Sequence, residues 1–139
     1  NLFFNWLGYL FLIMKVALLD DFHSLIPDTL AKWGWEIINA QTWTEKDFIN
    51  LSKDLNGIFI RSSIPLNENV LRNAKSLKFI ARPGAGLENI DLNYCKKNNI
   101  SVFRSPEGNR DAVAEHTVGM VLMLLNNLKR ADTEVREVV

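Results

Sequence analysis

The sequence predicts an α/β domain built on a parallel sheet with helices on both faces. Two observations carry this reading. Short apolar runs alternate with helix-like periodic runs five times between Lys15 and Phe103. The apolar runs are continuous instead of alternating with polar residues, which suits strands buried on both faces. The segments between them are long enough for helical crossovers, and parallel neighbours need such connections.

Each element has its own local reason. Residues 16–19 read VALL and end at Asp20-Asp21, giving the first strand. Residues 22–33 place Leu25, Ile26, Leu30 and Trp33 at helical spacing, and Gly34 ends that helix. Residues 35–38 form a second short strand. Thr44 with Asp47 has the spacing of a capping box, and Phe48, Leu51 and Leu55 mark one face behind it. Residues 57–60, GIFI, give strand three and lead into Arg61-Ser62-Ser63. Asn67 caps a short helix carrying Val70 and Leu71. Residues 77–81 give strand four. Asp91 caps a helix over residues 94–97, and residues 100–103 give strand five.

With right-handed crossovers, this order is a flavodoxin-like or Rossmann-like three-layer parallel sheet. Ligands of such folds sit beyond the carboxyl ends of the strands. Four loops lie there: Asp20-Asp21, Arg61-Ser62-Ser63, residues 82–86, and residues 104–109. The most informative is FIARPGAGLENID, residues 79–91. Glycines at 84 and 86 allow unusual backbone conformations, so their amides are expected to converge on an anion. Arg82 adds a fixed positive fork suited to carboxylate or phosphate. Two arginine-bearing loops on one edge point to a small anionic ligand.

Composition bounds the function. The 139 residues carry 16 basic and 16 acidic side chains, so the formal net charge is zero. That balance speaks against a nucleic-acid surface or a polybasic membrane anchor. Cys95 is the sole cysteine, which excludes an internal disulfide and fits a reducing, cytoplasmic setting. Its surroundings read as a buried structural thiol. Residues 1–13 are apolar but short for a membrane span. We expect Met14 to be the natural start and residues 1–13 to be non-native upstream sequence.

Beyond Asn109 the texture changes. Residues 111–129 read as one long apolar helix, with Val113, Thr117, Met120, Val121 and Leu124 on a stripe. Almost every later position is also apolar, so burial on several sides is expected. Residues 130–139 read as a charged tail with no core partner.

Three motifs resemble the D-isomer-specific 2-hydroxyacid dehydrogenases, with the phosphoglycerate branch the most similar. They are IRSS at 60–63, ARPGAGLENID at 81–91 and SPEGNRDAVAEHTVGMVLMLL at 105–125. The resemblance implies the first segment of a substrate domain at 14–110. It implies a connecting helix and the start of a nucleotide-binding domain at 111–139. Arg61, Ser62 and Ser63 match positions facing the substrate cleft. Arg82 matches a basic position near the substrate's acidic group. Gly84, Ala85 and Gly86 match the loop that binds the substrate carboxylate, with Ala85 beside the nicotinamide of NAD. Asn109 matches a loop position near the reacting end of the substrate. Glu115 and His116 match the start of the hinge helix, in a structural role.

The implied partners are a small 2-hydroxy or 2-keto acid and, for the complete protein, a second copy in a homodimer. The family's G-x-G-x-x-G does not occur in the sequence. The family's catalytic arginine, glutamate and histidine follow the nucleotide domain, so no catalytic residue is expected in this segment. Pro83 stands where alanine is common. Two non-catalytic alternatives share the alternation. A receiver-like signalling module needs an aspartate after strand three, where Arg61 stands, and a lysine after strand five, where Arg104 stands. A corepressor-like relative would keep NAD binding as a sensor.

Overall fold

A computed structural model describes residues 13–137, and the expectation for the leading apolar segment falls almost wholly outside them. Five strands form one sheet: β1 (Lys15–Leu18), β2 (Glu36–Asn39), β3 (Gly57–Phe59), β4 (Phe79–Arg82) and β5 (Ser101–Arg104). Their order is β2-β1-β3-β4-β5, and every pairing is parallel. This is the flavodoxin-like order, with the switch point between β1 and β3.

The alternation of side chains along β1 assigns the two faces. Val16 and Leu18 pack with Leu30 of α1 (Leu25–Lys32), joined by Ile26, Trp35, Phe59 and Phe79. Ala17 and Leu19 face the other way, toward α2 (Glu45–Leu51), α3 (Glu68–Leu71) and α4 (Leu92–Lys97). That second face holds the larger core, in which Phe48, Leu55, Ile58, Ile60 and Ile80 are fully buried. Burying each such side chain contributes about 1.5–3 kcal/mol.

Local chemistry sets the helix ends where the sequence expects. Thr44 and Asp47 close a reciprocal capping box at α2. Asn67 and Asp91 accept from the amides of Val70 and Tyr94 at the starts of α3 and α4. Gly34, at φ 75°, takes the left-handed step that ends α1. The exception is the start of α1. Ser24 makes no cap there, and His23 Nδ1 accepts the Leu25 amide instead.

Two expectations are corrected, and the charged tail takes a structure that the sequence reading left unassigned. The long helix, α5 (Glu107–Leu125), starts four residues earlier than residue 111 and has no buried residue. Leu124 and Leu125 are three-quarters exposed. Its apolar side chains surround the axis without a polar stripe, so they call for a cover that this chain's own core does not supply. The charged tail is helical: α6 (Leu128–Glu137) is laced by Arg130–Glu134 and Asp132–Arg136 pairs. Asn127, at φ 52°, makes the break between the two helices.

Candidate functional site

The carboxyl edge of the sheet gathers the arginines. Arg82, the last residue of β4, is half-buried, its side chain 17% exposed. Its Nε donates to the Arg61 carbonyl at 2.8 Å and one terminal nitrogen to Glu88 Oε2 at 3.0 Å. The β3 and β4 loops are therefore tied through one guanidinium. Because β3 and β4 are paired in register, Ile60 and Ala81 also hydrogen-bond across the ladder and deliver Arg61 and Arg82 side by side.

Arg104, which pairs with Arg82 in the β4–β5 register, donates to the Ala85 carbonyl at 3.2 Å. Ser105 donates its amide to the Gly84 carbonyl at 3.0 Å. The loop after β5 thus braces the loop after β4. Among the described residues, the amides of Ala85 and Gly86 donate to no protein acceptor. These are donors available to an anion.

The glycines earn their place differently from the sequence expectation. Neither Gly84 nor Gly86 has a positive φ, so the loop is not a left-handed nest. A Cβ at Gly84 meets nothing, whereas one at Gly86 would collide with both carboxylate oxygens of Glu88. A side chain at 86 would displace the tip of the flexible Glu88 side chain and would not force the backbone. The Glu88 carboxyl is held below the usual range, first by its own backbone amide and then by Arg82.

The β3 loop is organised by Asp20. Its Oδ2 accepts from the amide of Arg61, the amide of Ser62 at 3.3 Å and the hydroxyl of Ser63 at 3.3 Å. These bonds close the switch point between β1 and β3 with an internal carboxylate. Sequence reasoning placed Asp20 on the edge and missed this job. Ser62 and Ser63, expected to face a ligand, spend these donors on Asp20. The Arg61 guanidinium lies over the Phe22 ring, 5.9 Å from its centroid.

The structure brings Arg61, Arg82, Gly84, Ala85 and Gly86 together on adjoining loops, and it puts Asn109 on the helix that follows the β5 loop. Asn109 lies in the first turn of α5, not in a loop, is exposed, and makes no hydrogen bond to the arginine loops. Glu115 and His116 are likewise exposed on α5. Beside Arg82 and Arg104 lies a cleft of about 180 Å³, walled by Ile26, Phe59 and Phe103. A larger hollow of about 540 Å³ opens between α5 and α6, against Met123, Leu124 and Arg130, away from these loops. Among the described residues, no group of three or more His, Cys, Asp or Glu is placed to hold a metal. No described helix is long and apolar enough to cross a membrane.

Comparison with known proteins fits this picture. The family described as D-isomer specific 2-hydroxyacid dehydrogenase, catalytic domain, matches residues 16–137. D-3-phosphoglycerate dehydrogenase of Sus scrofa is 27% identical over 90% of this chain and 24% of its own length. The protein of that name from Archaeoglobus fulgidus is 30% identical over 89% of the chain and 24% of its length. Among solved structures, the PH0520 protein of Pyrococcus horikoshii superposes with a TM-score of 0.81 at 27% identity, covering 89% of this chain and 37% of that one. An NAD⁺-bound 3-phosphoglycerate dehydrogenase of Entamoeba histolytica gives 0.66 at 31% identity, covering 79% and 38%. The chain spans about a quarter of the length of these curated relatives. It belongs to the D-isomer specific 2-hydroxyacid dehydrogenase family.

Proposed function

We propose that this chain forms the acid-binding wall of the substrate cleft in an NAD-dependent oxidoreductase. That enzyme oxidises the CH–OH group of a 2-hydroxy acid, and 3-phosphoglycerate is the leading substrate. The observation that carries the reading is Arg82. It is half-buried, fixed through Nε, and set beside the unengaged amides of Ala85 and Gly86. Charge-assisted bonds from a guanidinium and two amides suit a carboxylate or a phosphate. The likeness to phosphoglycerate dehydrogenases supports the choice of substrate. Residues 14–110 would then be the first part of the substrate domain, with 111–139 leading into the nucleotide-binding domain.

The hydride acceptor is NAD, which supplies the redox chemistry when bound. This chain's residues fit one end of it. The exposed Ala85 backbone offers a ledge for a nicotinamide ring, held in place by Arg104. A dinucleotide's phosphates call for a Gly-rich strand-to-helix turn, and the sequence has no G-x-G-x-x-G. The chain's task is to bind and orient the acid, and by itself it turns nothing over. The exposed apolar surface of α5 supports its burial against the nucleotide domain and a second copy in a cytoplasmic homodimer.

Steady-state kinetics of the complete enzyme test this reading. Arg82→Ala is expected to raise KM for a phosphorylated 2-hydroxy acid about tenfold or more, and KM for an unphosphorylated one less. Equal effects on both would remove the phosphate role. Unchanged KM for both would remove Arg82 from the site.

A further inference from the structure

Two anion-receiving places on the carboxyl edge already hold carboxylates of the chain itself, and they are held with unequal firmness. Asp20 accepts three hydrogen bonds from the β3 loop, more than forty residues away in sequence. That carboxylate is part of the fold. Glu88 is different. It is mostly exposed, its side chain 79% accessible, and its one partner on another residue is Arg82. Yet its carboxylate folds back onto Gly86, into space that any side chain at position 86 would fill. Its own backbone amide and the Arg82 guanidinium hold it there, across the mouth of the Gly86 backbone.

With Arg82 Nε committed to Arg61 and one terminal nitrogen to Glu88, an incoming acid that takes a two-point grip on the guanidinium meets the Glu88 carboxylate and the space above Gly86. Two carboxylates cannot share that place, because like charges at contact disfavour each other. We propose that Glu88 is a built-in, displaceable occupant of the acid site, so that a substrate's acid group binds only as Glu88 swings out. The inference rests on the acid-site reading of Arg82 and adds to it a residue that sets apparent affinity. Glu88 has the reach for such exchange, since its carboxylate sits at the tip of a flexible, mostly exposed side chain, held by its own backbone amide and by a single ion pair with Arg82. Its ligand-free pose also keeps Arg82 aimed at the loop. The affinity measured for any acid is then lowered by the fraction of molecules in which the site is closed. A single ion pair that is solvent-exposed at its glutamate end sets the scale at about two- to fivefold.

The test is an NMR titration of the 139-residue chain with inorganic phosphate and with 3-phosphoglycerate. The Arg82 Nε–H and the Ala85 and Gly86 amides are followed in the wild type, Glu88→Gln and Arg82→Ala. The expected result is binding by the wild type, about two- to fivefold tighter binding by Glu88→Gln, and loss of binding in Arg82→Ala. Equal affinity in Glu88→Gln, with binding still lost in Arg82→Ala, overturns the displacement proposal and leaves the acid site standing. Weaker binding in Glu88→Gln also overturns it and makes Glu88 a positioning residue for Arg82. Shifts in Glu88→Gln that persist without Arg82, or no binding in either the wild type or Glu88→Gln, overturn the acid-site reading itself. Glu88→Ala serves as a second variant that removes both charge and reach, and it is expected to match Glu88→Gln.

Discussion

Cys95 shows how one residue's environment settles its chemistry. It is 1% exposed, on the core-facing side of α4, where it packs among apolar side chains. Burial pushes its thiol from 9.0 up to about 11, with Asp91 adding to the shift. A thiol held neutral this way is a poor nucleophile at physiological pH. The sign for stability follows from linkage. The folded value lies above the unfolded one, so the contribution is complete below pH 9 and is lost as pH rises toward about 11. The stability difference between the wild type and Cys95→Ala, from urea melts, should therefore shrink across that window. A constant difference would mean that the thiol ionises as freely folded as unfolded. The sequence carried enough to place Cys95 inside, because it sits among helix formers ahead of an apolar strand. It could not show that the Glu88 carboxylate returns to Gly86, because that depends on how a six-residue loop folds around Arg82. Nor could it show that Asp20 spans to the β3 loop, a contact that exists only once β1 and β3 are neighbours.

At the scale of elements, the strands and caps were legible because their causes are local. Thr44, Asn67 and Asp91 each stand three residues before the amide they satisfy. Apolar runs fix the five strands to within two residues at most ends. The misreadings have physical reasons as well. Residues 107–110 look like loop because Gly108 and Asn109 are poor helix formers, yet Pro106 and Glu107 suit a first turn. Residues 128–137, read only as a charged tail, do carry a narrow apolar stripe of Leu128, Ala131 and Val135 at helical spacing, and their i,i+4 ion pairs support the same helix. One cross-strand pair is sharper than the sequence hints. Gly57 lies opposite Phe79, whose ring covers the place a Cβ would take. That ring is itself packed against Trp35, Phe59 and Phe103. Gly57→Ala should destabilise the domain by about 1–3 kcal/mol in urea melts, the scale of core overpacking. The cost should fall when Phe79→Leu frees the space. An additive double variant would show that the ring yields without loss.

For the whole molecule, the parallel order β2-β1-β3-β4-β5 places every candidate residue that converges on one edge, and that order follows from connectivity rules more than from any motif. The expected set divides along one physical line. Arg61, Arg82, Gly84, Ala85 and Gly86 sit on loops fixed by adjacent strands, and they come together. Asn109 sits on α5, a helix with no buried residue, and makes no hydrogen bond to those loops. No residue of α5 is buried, so neither motif nor periodicity could fix the surroundings of Asn109. The central claim is that the β4 loop binds an acid through Arg82 and two free amides. The most direct measurement is the chemical-shift response of the wild-type chain to 3-phosphoglycerate. The account predicts saturable shifts concentrated at Arg82 Nε–H, Ala85 and Gly86, with no reduced cofactor formed when NAD⁺ is added. Shifts scattered over surface lysines, or none at these three residues, would contradict it.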